Sequence, residues 1–194
     1  MSNDELFRLI NGLARHTPWL NRPAAAFATT YGPVVLVALL VAGWLIARRH
    51  GPAVMAAALW APAGAALAVA VNRPIAEAAE EPMPSRSVPH AVFLVHRSAD
   101  MTSPSMHATL AGAVIAGLFL VRPRLGLIAG AAGLLMGLSR VYVGMHYPSD
   151  ALAGLVVGAV VTTLGFMLAK APLMALVTRS RRALGPVRFL VAGR

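Results

Sequence analysis

The chain has 194 residues, of which 58% are hydrophobic and 12% charged, with a mean hydropathy of +0.69 and a formal charge of +10. A soluble domain of this size carries about twice that charged fraction, so the composition excludes an ordinary water-soluble enzyme and indicates one integral membrane domain. The lack of Cys excludes a disulfide framework, a thiolate nucleophile and a Cys metal site, and the Arg-based charge (Lys170 is the one lysine) suits cytoplasmic loops and anionic lipid rather than nucleic acid.

Residues 2–15 predict a short amphipathic helix. Ser2 or Asn3 can cap it, Asp4 and Glu5 suit its first turn, and Leu6, Leu9, Ile10 and Leu13 share one face. It is too short and polar to span, so an N-terminal segment, 1–30, is expected to lie at the membrane surface with Arg8 and Arg15 at headgroup level. The start lacks a basic region followed by an apolar core, so no cleavable signal is expected. Thr17-Pro18-Trp19 breaks the helix, and Trp19 suits an interface anchor.

Five apolar runs follow: Tyr31 to Ala47, Ala53 to Val71, Ser105 to Val121, Leu125 to Val141, and Ala151 to Ala169. The first ends at Arg48-Arg49-His50-Gly51-Pro52 and the second at Asn72-Arg73-Pro74. A Pro-rich polar loop, 73–104, separates the second from the third and holds Glu77, Glu80, Glu81, Arg86, His90, His96, Arg97 and Asp100. The basic tail, 170–194, is read as carrying a second surface-lying helix. Gly126, Gly130, Gly133 and Gly137 recur at helical spacing and predict a packing seam. The expected fold is all-α: a polytopic membrane helical bundle of about five transmembrane helices plus an N-terminal interfacial helix.

Five spans put Arg48 and Arg49, Arg122 and Arg124, and the tail with Arg179, Arg181, Arg182 and Arg188 on one side, which the positive-inside rule makes the cytoplasm. Arg8, Arg15 and Arg22 weigh against that assignment. The loop 73–104 and the stretch Ser139–Asp150 then lie together outside.

The chemistry concentrates in three clusters at the outer ends of different spans. They are Arg73-Pro74, Pro104-Ser105-Met106-His107, and the run from Ser139 and Arg140 through His146 to Asp150. Ionisable groups at the edge of an apolar run cost free energy, which suggests a task. If Asp150 opens the fifth helix, a loop of this length can fold His146 back on its carboxylate, which would fix the imidazole tautomer. Guanidinium groups bind phosphate oxygens in bidentate fashion, and Ser105 at a helix N-terminus favours an anion. Two His can divide labour, one attacking phosphorus and one protonating the leaving oxygen. Singly, each residue has a plainer reading: a loop contact for His146 with Asp150, a core histidine for His107, a snorkelling arginine for Arg73. Their convergence favours phosphoryl transfer with no metal or cofactor.

In order, Arg-Pro, Pro-Ser-x-His and Ser-Arg-x5-His-x3-Asp resemble the type 2 phosphatidic acid phosphatase superfamily, most closely its bacitracin-resistance type of undecaprenyl-diphosphate phosphatase. The resemblance runs from Glu5-Leu6-Phe7 and Ile10-Asn11-Gly12-Leu13 through His96 and Asp100 to the fifth span. It implies a lipid phosphatase of the bacterial plasma membrane that dephosphorylates a polyprenyl diphosphate at the outer face and recycles the carrier lipid for cell-wall synthesis. His146 would be the nucleophile, oriented by Asp150, with His107 as general acid; Arg73, Ser105, Ser139 and Arg140 would hold the phosphate. The partners implied are the lipid substrate and membrane lipids, with a homo-oligomer left open.

Two positions depart from the family pattern. Ala66 stands where the wider superfamily has a Lys, which the undecaprenyl-diphosphate branch often lacks, and Met106 stands where Gly or Asp is usual. The same motifs serve phosphatases of phosphatidic acid, phosphatidylglycerol phosphate or another prenyl phosphate. A reading of another class is a lipid-phosphate binder or transporter that kept the fold and lost turnover through Met106.

Overall fold

Four of the helices open on a proline, whose fixed φ and missing N–H suit the first helical position. The computed structural model describes residues 2–79, 84, 88–95 and 103–183. Its helices are α1 (Asn3–His16), α2 (Pro18–Ala47), α3 (Pro52–Ala79), α4 (Met106–Val121), α5 (Pro123–Tyr142) and α6 (Pro148–Ala183). Among the described residues α2, α3, α5 and α6 are long and apolar enough to cross a membrane, and α4 is a shorter apolar helix. The chain is therefore a multi-pass, all-α membrane bundle, as its apolar runs predict.

Three helices outrun their predicted limits. The first span begins at Pro18 rather than Tyr31, α3 continues through Pro74 to Ala79, and α6 continues through Pro172 to Ala183. Residues 170–183 thus extend the last span instead of forming a separate surface helix; residues 184–194, with Arg188, lie outside the described residues. The physical reason is common to all three. An interior proline removes one backbone bond, whereas ending the helix would strand several carbonyls in apolar surroundings.

α1 is closed by a reciprocal capping box, Ser2 Oγ accepting from Glu5 N and Glu5 Oε2 from Ser2 N. Its predicted apolar face is not the buried one. Phe7, Asn11 and Ala14 are buried, while Leu9 and Leu13 are exposed. The helix packs on α5, and Leu9 and Leu13 are left facing outward.

α4 sits at the centre and packs against α2, α3, α5 and α6. Its 16 residues span about 24 Å, short of a hydrocarbon core of about 30 Å, so its ends lie within the bundle. The close approach is made by glycine. A Cβ on Gly158 of α6 would meet the Thr109 carbonyl oxygen at 2.0 Å, and one on Gly112 of α4 would meet that of Leu155 at 2.0 Å. This small-residue crossing is the tight seam. The predicted seam on α5 is realised at Gly126, Gly133 and Gly137 but not at Gly130. Gly126 packs on Phe119 and Gly133 on Ile115 and Ala111, but a Cβ on Gly130 would have nothing within 4 Å.

The bundle has two unlike ends. At one, Arg181 donates to the His50 carbonyl and Ala47, Met55, Val121 and Val177 share a core cluster beside the basic turns. At the other lie the first turns of α4 and α6, the end of α5, and α1.

Candidate active site

Arg140 ends the buried face of α5, and a five-residue loop, 143–147, carries His146 back toward it. The loop begins by continuing the helix: Val143 N–H donates to Ser139 O and Met145 N–H to Arg140 O. Gly144 then takes φ +86°, and a Cβ there would lie 2.5 Å from the Val92 carbonyl oxygen, so the position needs glycine on both counts. Asp150 in the first turn of α6 is fully buried, and its Oδ2 accepts from Tyr147 N–H at 2.9 Å. That bond folds the loop over the start of α6.

His146 is held between Arg140 and Asp150. Arg140 Nη2 stands 3.1 Å from His146 Nε2, and His146 Nδ1 stands 3.8 Å from Asp150 Oδ2. A guanidinium can only donate, so Nε2 presents its lone pair and the ring proton belongs on Nδ1, toward the carboxylate. The Nδ1 to Oδ2 separation exceeds hydrogen-bond length.

Arg140 is itself positioned by a defect in α2. Residues Phe27–Tyr31 form a π turn in which Gly32 N–H donates to Phe27 O. Pro33 has no N–H, so the Ala28 carbonyl has no donor in its own helix, and Arg140 Nη1 fills the gap at 3.0 Å. The guanidinium is buried, and its Nε has no hydrogen-bond partner.

The second cluster joins through backbone and an amide. Ser105 N–H donates to Asp150 O, tying the first turn of α4 to that of α6. Asn72 donates to Pro104 O at 3.1 Å and accepts from Thr109 Oγ1 at 2.8 Å, locking α3 to the same turn. Ser105 Oγ is buried and without a partner. His107 is half-buried in the first turn of α4, two residues after Ser105. Two buried donors without acceptors, Ser105 Oγ and Arg140 Nε, thus stand at the end of the bundle that carries His107, His146 and Asp150. Buried orphan donors are rare, and an anionic oxygen is a fitting acceptor for either.

Two predicted phosphate ligands are placed differently. Ser139 Oγ donates back to Leu135 O within α5, so its one proton is committed. Arg73 points outward, its side chain 78% exposed and its Nε 3.1 Å from Glu77 Oε1. The pairing follows from the continuation of α3 past Pro74, which sets Glu77 one turn above Arg73. Met106 is half-exposed at the first helical position of α4 and stays out of the buried cluster. His96, Asp100, Glu80, Glu81, Arg86 and Arg97 lie outside the described residues. No group of three metal-ligating carboxylate, His or Cys side chains occurs among the described residues.

Sequence reasoning passed over Asn72, Asn11 and Pro33. A lone buried amide has no periodic signature, although Asn beside the Arg-Pro pair and Pro33 in an apolar run are both local anomalies that point to an irregular backbone partner.

Residues 57–172 match the family model described as the PAP2 superfamily. The chain is 34% identical over 169 residues to the undecaprenyl-diphosphatase BcrC of Bacillus subtilis (strain 168), covering 84% of this chain and 82% of that one. It is 26% identical to the bacitracin transport permease protein BcrC of Bacillus licheniformis, covering 80% and 75% of the two chains. In fold it resembles the crystal structure of a transmembrane PAP2 type phosphatidylglycerolphosphate phosphatase from Bacillus subtilis, with a TM-score of 0.64 and 22% identity over 86% of this chain and 84% of that one.

Proposed function

The chain belongs to the PAP2 superfamily, and from that premise we propose that it is a lipid phosphatase that hydrolyses undecaprenyl, or a related polyprenyl, diphosphate to the monophosphate. The observation that carries the mechanism is the lone pair of His146 Nε2 turned toward the buried guanidinium of Arg140, whose Nε has no acceptor.

The terminal phosphate takes the N–H groups of Arg140 and the hydroxyl of Ser105, displacing Arg140 from Nε2. Nε2 then attacks phosphorus, the bond to the bridging oxygen breaks, and His107 gives that oxygen its proton. The positive charge gained by the ring is balanced by Asp150 on the Nδ1 side. Water next attacks phosphohistidine while His107 takes its proton, releasing inorganic phosphate and restoring His146. Arg73 joins by exchanging Glu77 for a phosphate oxygen. Glu77→Gln removes that competitor and is expected to lower KM about two- to five-fold with kcat unchanged, the scale of an exposed ion pair; steady-state kinetics on both chains reads the split.

Met106 lies outside the buried cluster, so an Asp in its place meets only the helix N-terminus. Met106→Asp is expected to change kcat by less than about three-fold, the size of a favourable helix-dipole contact. A gain of orders of magnitude would mean that Met106 obstructs the site.

The basic turns gather at the end opposite the site, and the positive-inside rule supports a site on the extracytoplasmic face of a bacterial plasma membrane. There it would return the carrier lipid to cell-wall synthesis. Phosphate release by the purified chain in vesicles from undecaprenyl diphosphate, phosphatidic acid and phosphatidylglycerol phosphate tests the reading, with His146→Ala as control. Undecaprenyl diphosphate is expected to turn over fastest. Faster turnover of phosphatidic acid removes the substrate assignment, and equal release by wild type and His146→Ala on every lipid removes the activity.

A further inference from the structure

The N-terminal helix grips three points in and beside the loop that carries His146. Asn11, only 3% exposed on α1, donates to the Tyr142 carbonyl at 2.9 Å and to the Val92 carbonyl at 2.8 Å, and accepts from Val92 N–H at 2.8 Å. Tyr142 is the last residue of α5, so its carbonyl has no partner within that helix. An amide side chain is one of the few groups that can donate twice and accept in one place. Val92 in turn sits under the loop, where its carbonyl closes on Gly144, and Leu94 N–H donates to Val143 O.

Phe7, one turn earlier on the same buried face, packs on Tyr147 with ring centroids 5.4 Å apart. Asn3, one turn earlier again, exchanges two bonds with Ser149: its Nδ2 donates to Ser149 Oγ at 2.7 Å and its Oδ1 accepts from Ser149 N–H at 3.2 Å. Residues 3, 7 and 11 therefore hold the residue before the loop, the residue after His146 and the residue before Asp150.

We propose that Asn11, supported by Phe7 and Asn3, is a positioning residue for His146, and that α1 is the strut that sets the imidazole between Arg140 and Asp150. The inference rests on the phosphatase reading above. None of the three side chains touches the reacting atoms. They act through the loop backbone, and the 3.8 Å between Nδ1 and Oδ2 leaves Asp150 too distant to orient the ring by a hydrogen bond. Displacing a nucleophile by about 1 Å costs up to about 100-fold in rate.

The test uses the full chain in phosphatidylcholine vesicles. Asn11→Ala is expected to lower kcat on undecaprenyl diphosphate about 10- to 100-fold with KM within about two-fold, because the phosphate donors are untouched. Amide hydrogen exchange should quicken over residues 142–149 while the core of α4 keeps its protection. Asn3→Ala cuts one exposed grip that the fold does not need; it should lower kcat about three-fold and quicken exchange at Ser149 and its neighbours. Wild-type kcat in Asn11→Ala, or exchange that rises evenly through every helix, overturns the proposal. If Asn11→Ala does not fold, unchanged kcat and exchange in Asn3→Ala overturn it instead. If the wild-type chain releases no phosphate from any lipid, the phosphatase reading fails, and exchange over residues 142–149 decides the grip by itself.

Discussion

His146→Ala is expected to reduce phosphate release from undecaprenyl diphosphate by at least about 10⁴-fold, the scale on which enzymes lose a nucleophile. The ring presents Nε2 to Arg140 at 3.1 Å, at the end of the bundle that holds the buried orphan donors Ser105 Oγ and Arg140 Nε. His107 is on a different helix and is assigned the proton, so it does not replace the lost attack. The fold should survive the change, since the loop is held by Asp150, by Gly144 and by α1 rather than by the imidazole. A melting temperature within a few degrees of wild type, together with loss of an acid-labile phosphoryl label on the protein, separates lost chemistry from lost structure. Asp150→Asn should fall between the two, about 100- to 10⁴-fold down. Its amide oxygen can still accept from Tyr147 N–H, but the negative charge that balances the ring during attack is gone. Activity in His146→Ala near that of wild type would sink the phosphohistidine mechanism.

Gly158→Leu is expected to abolish folded protein, whereas Gly130→Leu is expected to be tolerated. A Cβ at Gly158 would stand 2.0 Å from the Thr109 carbonyl oxygen and 2.6 Å from Ala113 N, both backbone atoms of the central helix. Backbone cannot rotate aside, so α4 and α6 must separate. Overpacking of this kind costs about 3 kcal/mol or more, a large part of the stability of any single domain. Separation would also break the Ser105 to Asp150 backbone bond that ties the first turn of α4 to that of α6, so any surviving protein should be inactive. At Gly130 a Cβ meets nothing within 4 Å. Size-exclusion profiles and melting curves in detergent compare the two directly; equal behaviour would refute the central crossing of α4 and α6.

Much of the molecule is legible along the chain because its determinants are local. Long apolar runs broken by Arg-rich turns set the helices and their alternation, and a proline at the first position marks where several begin. His146 and Asp150 can be paired on paper because they are four residues apart across a helix start. The helix limits at Pro74 and Pro172 read wrongly for an opposite reason: the local cost of proline is set against a backbone that has no water to turn to.

The remaining features depend on distant partners, which no spacing rule encodes. The Ala28 carbonyl needs a donor only because Pro33 and a π turn strand it, and Arg140 arrives there from a helix more than a hundred residues away. Arg73 looks like a phosphate ligand in the sequence, yet it pairs with Glu77 once α3 continues. Asn11 sits in what reads as a surface helix, and only packing turns its amide onto the end of α5. The sequence by itself determined a membrane bundle and the three motif clusters, and the short spacing from His146 to Asp150 brings Nδ1 and Oδ2 to 3.8 Å, since periodicity and short spacing act within one helix or turn. The tertiary structure alone decided which polar groups meet, because a buried donor takes whichever acceptor the packed helices bring within about 3 Å.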